Sequence, residues 1–186
     1  ALDTLANVAT CMWANNETGV LQSIEELVEV CRYETRKSPA CRILFHTDAT
    51  QAVGKIPVDV KACGVDFLTC SAHKFHGPKG IGTLYARTGA RLRWRQFGGS
   101  QERDRRGGTE NVAGIVGLGL ACELAERELP DRMAGYAKLR DALWEGIRSG
   151  IPDVRRNCDP EHSLPNTLHV EFRAAAGEVL VPVSYT

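Results

Sequence analysis

The sequence predicts an α/β protein: a mostly parallel sheet flanked by helices, with the start of a smaller α+β unit toward the C-terminal side. Three observations carry this. Apolar runs of strand length at 43–47, 65–70 and 81–85 each border a polar loop, the pattern of buried strands in an open sheet. Between a first strand at 8–13 and the run at 43–47, the segment 23–35 has helical periodicity. Farther on, Leu168, Val170 and Phe172 alternate with His169 and Glu171, so the strand predicted over 167–172 lies in a sheet with one wet face.

The first strand ends at Ala14-Asn15-Asn16-Glu17-Thr18-Gly19. Two asparagines ahead of a glycine are ordinary turn chemistry, because both residue types tolerate positive φ. Ser23-Ile24-Glu25-Glu26 has the form of a capping box, so a helix starts there. Leu21, Ile24, Leu27, Val28 and Cys31 fall on its covered face, and Lys37-Ser38-Pro39 ends it.

The run 43–47 gives onto Asp48-Ala49-Thr50-Gln51. Open parallel sheets place ligand groups at such carboxyl ends. The run 65–70 gives onto Ser71-Ala72-His73-Lys74-Phe75-His76-Gly77-Pro78-Lys79-Gly80, which sets Lys74 in a loop rich in glycine and proline. Taken alone, Lys74 suits a solvated surface loop at least as well as it suits a reactive amine.

The segment 98–111 is too charged and glycine-rich for core and reads as a functional or interface loop. Residues 112–129 are apolar and small on nearly all sides. They predict a largely buried helix that begins near Thr109 or Asn111, with Gly114, Gly117 and Gly119 allowing close packing. Pro130-Asp131 is expected to break and restart the chain. Met133, Tyr136, Leu139, Leu143 and Ile147 then mark one face of a further helix to about 149, with Trp144 extending it. On this reading residues 1–130 belong to a large domain and 131–186 begin a small one.

Composition narrows the function classes. The 186 residues are 43% hydrophobic and 25% charged, enough for a sizeable core. Lys plus Arg and Asp plus Glu are each 23, so no global charge favours nucleic acid or an anionic membrane. The arginines within 91–106 come with no aromatic stacking platform or recognition helix. No apolar run has the length of a membrane span, and no leader is evident. Seven cysteines without a C-x-x-C pair suit a reducing interior, cytoplasmic or within an organelle, and most are expected to be buried free thiols. His73 and His76 have no further ligands nearby in sequence, so no metal site is expected.

Three loops therefore present Asn16, then Asp48 and Gln51, then Ser71, His73 and Lys74. With Asn15-Asn16-Glu17-Thr18-Gly19, His46-Thr47-Asp48-Ala49-Thr50-Gln51-Ala52-Val53-Gly54-Lys55, the lysine loop 71–80 and Gly107-Gly108-Thr109-Glu110-Asn111 in this order, the sequence resembles the class V aminotransferase family of fold-type I pyridoxal phosphate enzymes. Within that family it is similar to the cysteine desulfurase and selenocysteine lyase group, nearly end to end.

The resemblance implies the cofactor pyridoxal 5'-phosphate, with Lys74 as the catalytic residue that carries it as an imine and then moves the substrate Cα proton. It further implies Asp48 at the pyridinium nitrogen, Asn16 and Gln51 near the ring hydroxyl, and Ser71 and His73 at the phosphate. Thr109 would reach the phosphate of a partner subunit's cofactor, hence a homodimer. Each residue also has a plain structural role open to it: Asp48 as a strand-end cap, His73 as a structural histidine, Thr109 as a helix cap. The chemistry supplies a reason for each type. A carboxylate beside the ring nitrogen keeps it protonated and able to accept electrons, and a hydroxyl with an imidazole satisfies phosphate oxygens without a basic patch.

Family members also carry a phosphate turn and a stacking histidine ahead of the matched region, and a sulfur-accepting cysteine on a mobile loop after it. None of the seven cysteines matches that residue, and Cys158, in a loop-like stretch, is expected to be non-catalytic. The chain is thus expected to be an internal fragment, which bears on whether it is active alone. The implied function is a cysteine desulfurase taking L-cysteine to L-alanine with sulfur passed to an enzyme cysteine as a persulfide, for iron–sulfur assembly through a sulfur-acceptor or scaffold protein. The alternatives are a selenocysteine lyase acting on L-selenocysteine and, from another class, a non-catalytic cofactor-binding or scaffold fragment.

Overall fold

In the computed structural model, which describes residues 7–38, 42–90, 92–93, 95–173 and 175, the apolar runs form one sheet in the order β1 (Asn7–Met12), β2 (Ile43–Asp48), β3 (Phe67–Ser71) and β4 (Gly82–Ala86). Pro39, Cys41, Arg91 and the stretch 179–186 lie outside the described residues. Strands β1, β2 and β3 are parallel, with Met12 opposite Asp48 and Asp48 opposite Thr69. Their carboxyl ends therefore share one edge. Leu44 and Phe45 are consecutive and both buried, as expected of an inner strand covered on both faces.

Strand β4 departs from the parallel expectation: it runs antiparallel to β3, with Ser71 opposite Gly82. The connection 72–81 is too short for a parallel crossover, which needs about a dozen residues or more. The run at 65–70 also starts later than its composition suggests. Asp66, ahead of β3, is buried, and its Oδ2 accepts the amide of Phe45 at 2.9 Å. Its Oδ1 accepts Arg87 Nε at 3.0 Å, and its own amide bonds Phe45 O at 2.9 Å. A buried carboxylate is tolerated here because its charge and lone pairs are met.

Helix α1 (Ile24–Lys37) covers the sheet through Ile24 and Val28. Glu25 and Glu26 in its first turn and Arg36 and Lys37 in its last complement the helix dipole. The expected capping box does not form, since the Ser23 side chain makes no cap hydrogen bond. The charged segment includes a short turn, α2 (Gln101–Asp104), in which Glu102, Arg103 and Asp104 all have positive φ.

Pro130 does not break the chain. Helix α3 (Val112–Gly150) runs straight through it for 39 residues, capped by Asn111, whose Oδ1 accepts the Gly114 amide at 3.0 Å. Across the proline, Arg132 grips Glu128 Oε2 through Nε at 3.1 Å and Nη2 at 2.7 Å, an (i, i+4) pair that brackets it. The first half of α3 is also less covered than its composition predicts. A stripe of Gly114, Ala121 and Ala125 is buried, whereas Val112, Val116 and Leu120 are more than half exposed. In the second half Leu139 and Leu143 face outward, and Arg140 takes the buried position.

A separate two-stranded antiparallel sheet pairs β5 (Val154–Arg156) with β6 (Val170–Phe172). Strand β6 is shorter than the predicted 167–172. Its half-buried Val170 and Phe172 flank exposed Glu171, the alternation the sequence implied.

Candidate active site at the carboxyl edge of the sheet

The three parallel strands hand their chains over at one level. Asp48 O accepts the amide of Trp13, and Thr69 O accepts that of Ala49, both at 2.8 Å. Each loop thus leaves a strand end tied to its neighbour. Asn16, Asp48, Gln51, Ser71, His73 and Lys74 all lie at or just beyond these ends.

Lys74 and His73 are exposed on a single 3-10 turn (Ala72–Phe75), whose flanking Ala72 and Phe75 are fully buried. The turn is locked by the Gly77 amide to Ala72 O at 2.9 Å and closes through His76 at φ 71. His76 is therefore a loop-shaping residue. From behind, α3 presses on the lysine loop, where a Cβ on Gly77 would meet Ala121 Cβ at 3.2 Å, and the turn after β2 also lies against it, since a Cβ on Gly54 would meet Phe75 Cβ at 2.7 Å.

Asp48 is exposed at the end of β2, and its Oδ1 accepts the amide of Thr50 at 2.8 Å. That is the strand-end turn role, and among the described residues it leaves the second oxygen open. Gln51, half-buried, accepts at Oε1 from Lys55 Nζ at 2.7 Å. Burial, and then the charge of Lys74, hold the Lys55 ammonium below its ordinary pKa. In the loop after β1 the structural work falls to Asn15, whose Oδ1 receives the amides of Glu17 and Thr18 at 2.9 and 2.8 Å. Asn16 stays exposed. Ser71 is half-buried at the last position of β3, and Thr109 is exposed ahead of α3. No hydrogen bond among the described residues joins Thr109 to the other six.

Two residues without an expected role join this region. His46 bridges the strands, with Nδ1 2.7 Å from Thr10 Oγ1 and Nε2 3.1 Å from Thr69 Oγ1. Its signal in the sequence was a polar residue inside an apolar run. Lys55 was legible only as a lysine four places after Gln51, the spacing that lets two side chains meet on a helical turn.

The donor set suits pyridoxal phosphate: an exposed primary amine, a carboxylate with one open oxygen, an amide, a hydroxyl and an imidazole on one edge. Two surface cavities lie elsewhere. One, around Arg32, Asp66 and Arg87, opens at the amino end of β2, and the other lies around Phe97 and Arg106. Among the described residues no cluster of histidine, cysteine and carboxylates could hold a metal ion, and no helix is long and apolar enough to cross a membrane.

Comparison with known proteins agrees with this architecture. A cysteine desulfurase of Enterobacter agglomerans is 46% identical over 181 residues, which is 97% of this chain and 43% of that protein. The cysteine desulfurase IscS of Neisseria meningitidis is 47% identical over 176 residues, 94% of this chain and 42% of the relative. The chain thus spans less than half the length of the curated relatives it matches. Among solved structures, a NifS-like protein superimposes with a TM-score of 0.86 at 40% identity, over 99% of this chain and 49% of the other. DndA from Streptomyces lividans does so with a TM-score of 0.80 at 31% identity, over 96% and 49%. The family model for class-V aminotransferases matches residues 1–182. With that match over nearly its whole length, the chain belongs to the aminotransferase class-V family and has the fold of type I pyridoxal phosphate enzymes.

Proposed function

We propose that the protein is a pyridoxal-phosphate-dependent cysteine desulfurase that converts L-cysteine to L-alanine and passes the sulfur to one of its own cysteines. The observation that carries this reading is the gathering of Lys74, Asp48 and Gln51 at one sheet edge, in a chain whose relatives bear that name at 46–47% identity. When bound, the cofactor supplies a ring that withdraws the electron pair left when a substrate Cα–H bond opens.

The chain's own residues divide the remaining work. Lys74 Nζ holds the cofactor covalently and then carries the proton at the substrate Cα. The open oxygen of Asp48 keeps a proton on the ring nitrogen. Gln51 and Asn16 donate to the ring hydroxyl, while Ser71 and His73 orient the phosphate. Thr109, exposed and unconnected to the other six, serves the phosphate of a partner subunit in a homodimer. Residues 1–130 belong to the large cofactor-binding domain and 131–186 begin the small one, which the separate β5–β6 sheet supports. A sulfur-acceptor or scaffold protein and a reducing compartment complete the reading. The unbridged thiols of Cys11, Cys31, Cys63, Cys70, Cys122 and Cys158 suit the latter.

The test is to add pyridoxal phosphate to the full-length protein, reduce with borohydride and map the modified peptide. Label at Lys74 is expected. A folded protein with Lys74 unlabelled would overturn the assignment, and a large preference for L-selenocysteine in parallel turnover assays would replace desulfurase by selenocysteine lyase.

A further inference from the structure

The turn after β2 carries a lysine whose placement has a chemical consequence. Lys55 is half-buried, and its ammonium lies 2.7 Å from Gln51 Oε1. An ammonium has three donors and no acceptor. The atom of Gln51 that faces it must therefore be the carbonyl oxygen, because the opposite orientation would set N–H groups against a cation. The Nε2 amide, with two donors and no acceptor, is then turned away from Lys55.

The turn is firmly built. The Lys55 amide bonds Ala52 O at 3.0 Å, Ala52 is fully buried, and Gly54 at φ +75 lies directly against Phe75, the neighbour of Lys74. The backbone that carries the Lys55–Gln51 pair is thereby fixed beside the turn that presents Lys74.

We propose that Lys55 is a positioning residue that fixes Gln51 as a hydrogen-bond donor toward the ligand and so selects an ionised ring oxygen at that place. This rests on the reading of the edge as a pyridoxal phosphate site. That Lys55 is held below its ordinary pKa by burial and by Lys74 agrees with a lysine inside the site's field rather than on an open surface.

The experiment uses the full-length protein reconstituted with pyridoxal phosphate, as wild type and as Lys55→Arg, Lys55→Met and Lys55→Glu. Arginine keeps the donor, methionine removes it, and glutamate draws the amide N–H groups toward itself and turns Oε1 to the ligand. Each protein is read by borohydride labelling at Lys74, by cofactor dissociation constant, by the ratio of ionised-ring to neutral-ring absorbance at one pH, and by melting temperature. Lys55→Arg is expected to match wild type. Lys55→Met should bind cofactor about tenfold more weakly, the scale of one oriented hydrogen bond, and Lys55→Glu more weakly still, with the ionised-ring fraction falling in the same order.

In a Gln51→Leu background the Lys55 substitutions should no longer move the band ratio. A ratio that still moves there would show a through-space charge effect and overturn the proposal. So would Met and Glu variants that lose melting temperature equally but keep the wild-type ratio and affinity. Absence of label at Lys74 in the wild type overturns both this proposal and the reading beneath it, whereas label with an unchanged ratio in every Lys55 variant overturns this proposal alone.

Discussion

Gly117 of α3 lies so close to Pro78 of the lysine loop that a Cβ added to it would sit 2.5 Å from Pro78 Cγ and 3.0 Å from Cδ. A proline ring cannot swing aside as a long side chain can, so the loop would have to move. Two positions along the same helix, Gly119 has nothing within 4 Å of its notional Cβ. One helix thus holds a glycine required by packing and another with open space beside it.

The two glycines are therefore expected to respond in opposite directions. Gly117→Ala should have a net cost of up to about 2 kcal/mol, because overpacking of roughly 1–3 kcal/mol exceeds the gain of about 1 kcal/mol in helix propensity. Gly119→Ala should gain about 0.5–1 kcal/mol. Urea midpoints of the two variants check this, and a stabilised Gly117→Ala would disprove the close contact.

Asp66 closes a buried knot in which one carboxylate meets the Phe45 amide and the Arg87 guanidinium. Asp66→Ala strands the amide and the arginine together and should destabilise by about 3 kcal/mol or more. Asp66→Asn, which keeps an acceptor for the Phe45 amide, should cost less. Arg87→Ala should cost least, because its side chain is 43% exposed. Thermal melting of the three variants must give that order.

Alkaline pH should weaken the fold through Cys70. Burial first, then Cys122 and Asp48, push its thiol from 9.0 up to about 11. Between those values the folded chain keeps a proton that the unfolded chain has lost, so this contribution is complete below about pH 9 and disappears as pH rises toward 11. Cys63, Cys31 and Cys122 shift the same way, chiefly by burial. Unfolding free energies from pH 8 upward should fall less steeply in Cys70→Ala than in wild type, and equal slopes would refute the assignment.

Arg140 ties the far half of α3 to the segment that follows β5. Its guanidinium forks onto Asp141 at 2.9 and 3.2 Å and reaches the carbonyls of Pro160 and Leu164 at 3.4 and 3.5 Å. That segment in turn bonds back to the first loop, through the Leu164 amide to Gly19 O at 2.8 Å. Arg140→Met should cost about 1–3 kcal/mol, because the two carbonyls lose their donor while the exposed Asp141 is left to water, and Arg140→Lys should recover little, since one ammonium cannot reproduce the planar fork. Hydrogen exchange at 160–164 should quicken in both variants.

The parallel α/β class, the alternation at 170–172 and the loops that bring Asn16, Asp48, Gln51, Ser71, His73 and Lys74 to one edge were all legible in the sequence. Each depends on local patterning: apolar runs of strand length, helical periodicity at 24–37, and polar residues just past the runs. The reversal of β4 was also implicit, in the shortness of 72–81, but it needed the crossover rule rather than composition.

Only the tertiary structure decided the rest, because it turns on which distant groups meet. Pro130 stays inside α3, where Arg132 and Glu128 pair across it, although propensity alone argues the other way. Arg140 takes a buried position among apolar residues because Asp141 and two distant carbonyls satisfy it. The apolar residues of 112–120 look like core in any hydropathy reading, yet only Gly114 among them is buried, with Gly117, against Pro78 of the lysine loop, and Leu118 half-buried. The orientation of the Gln51 amide follows from a single ammonium four residues away, whose direction the spacing allowed but the fold alone determined.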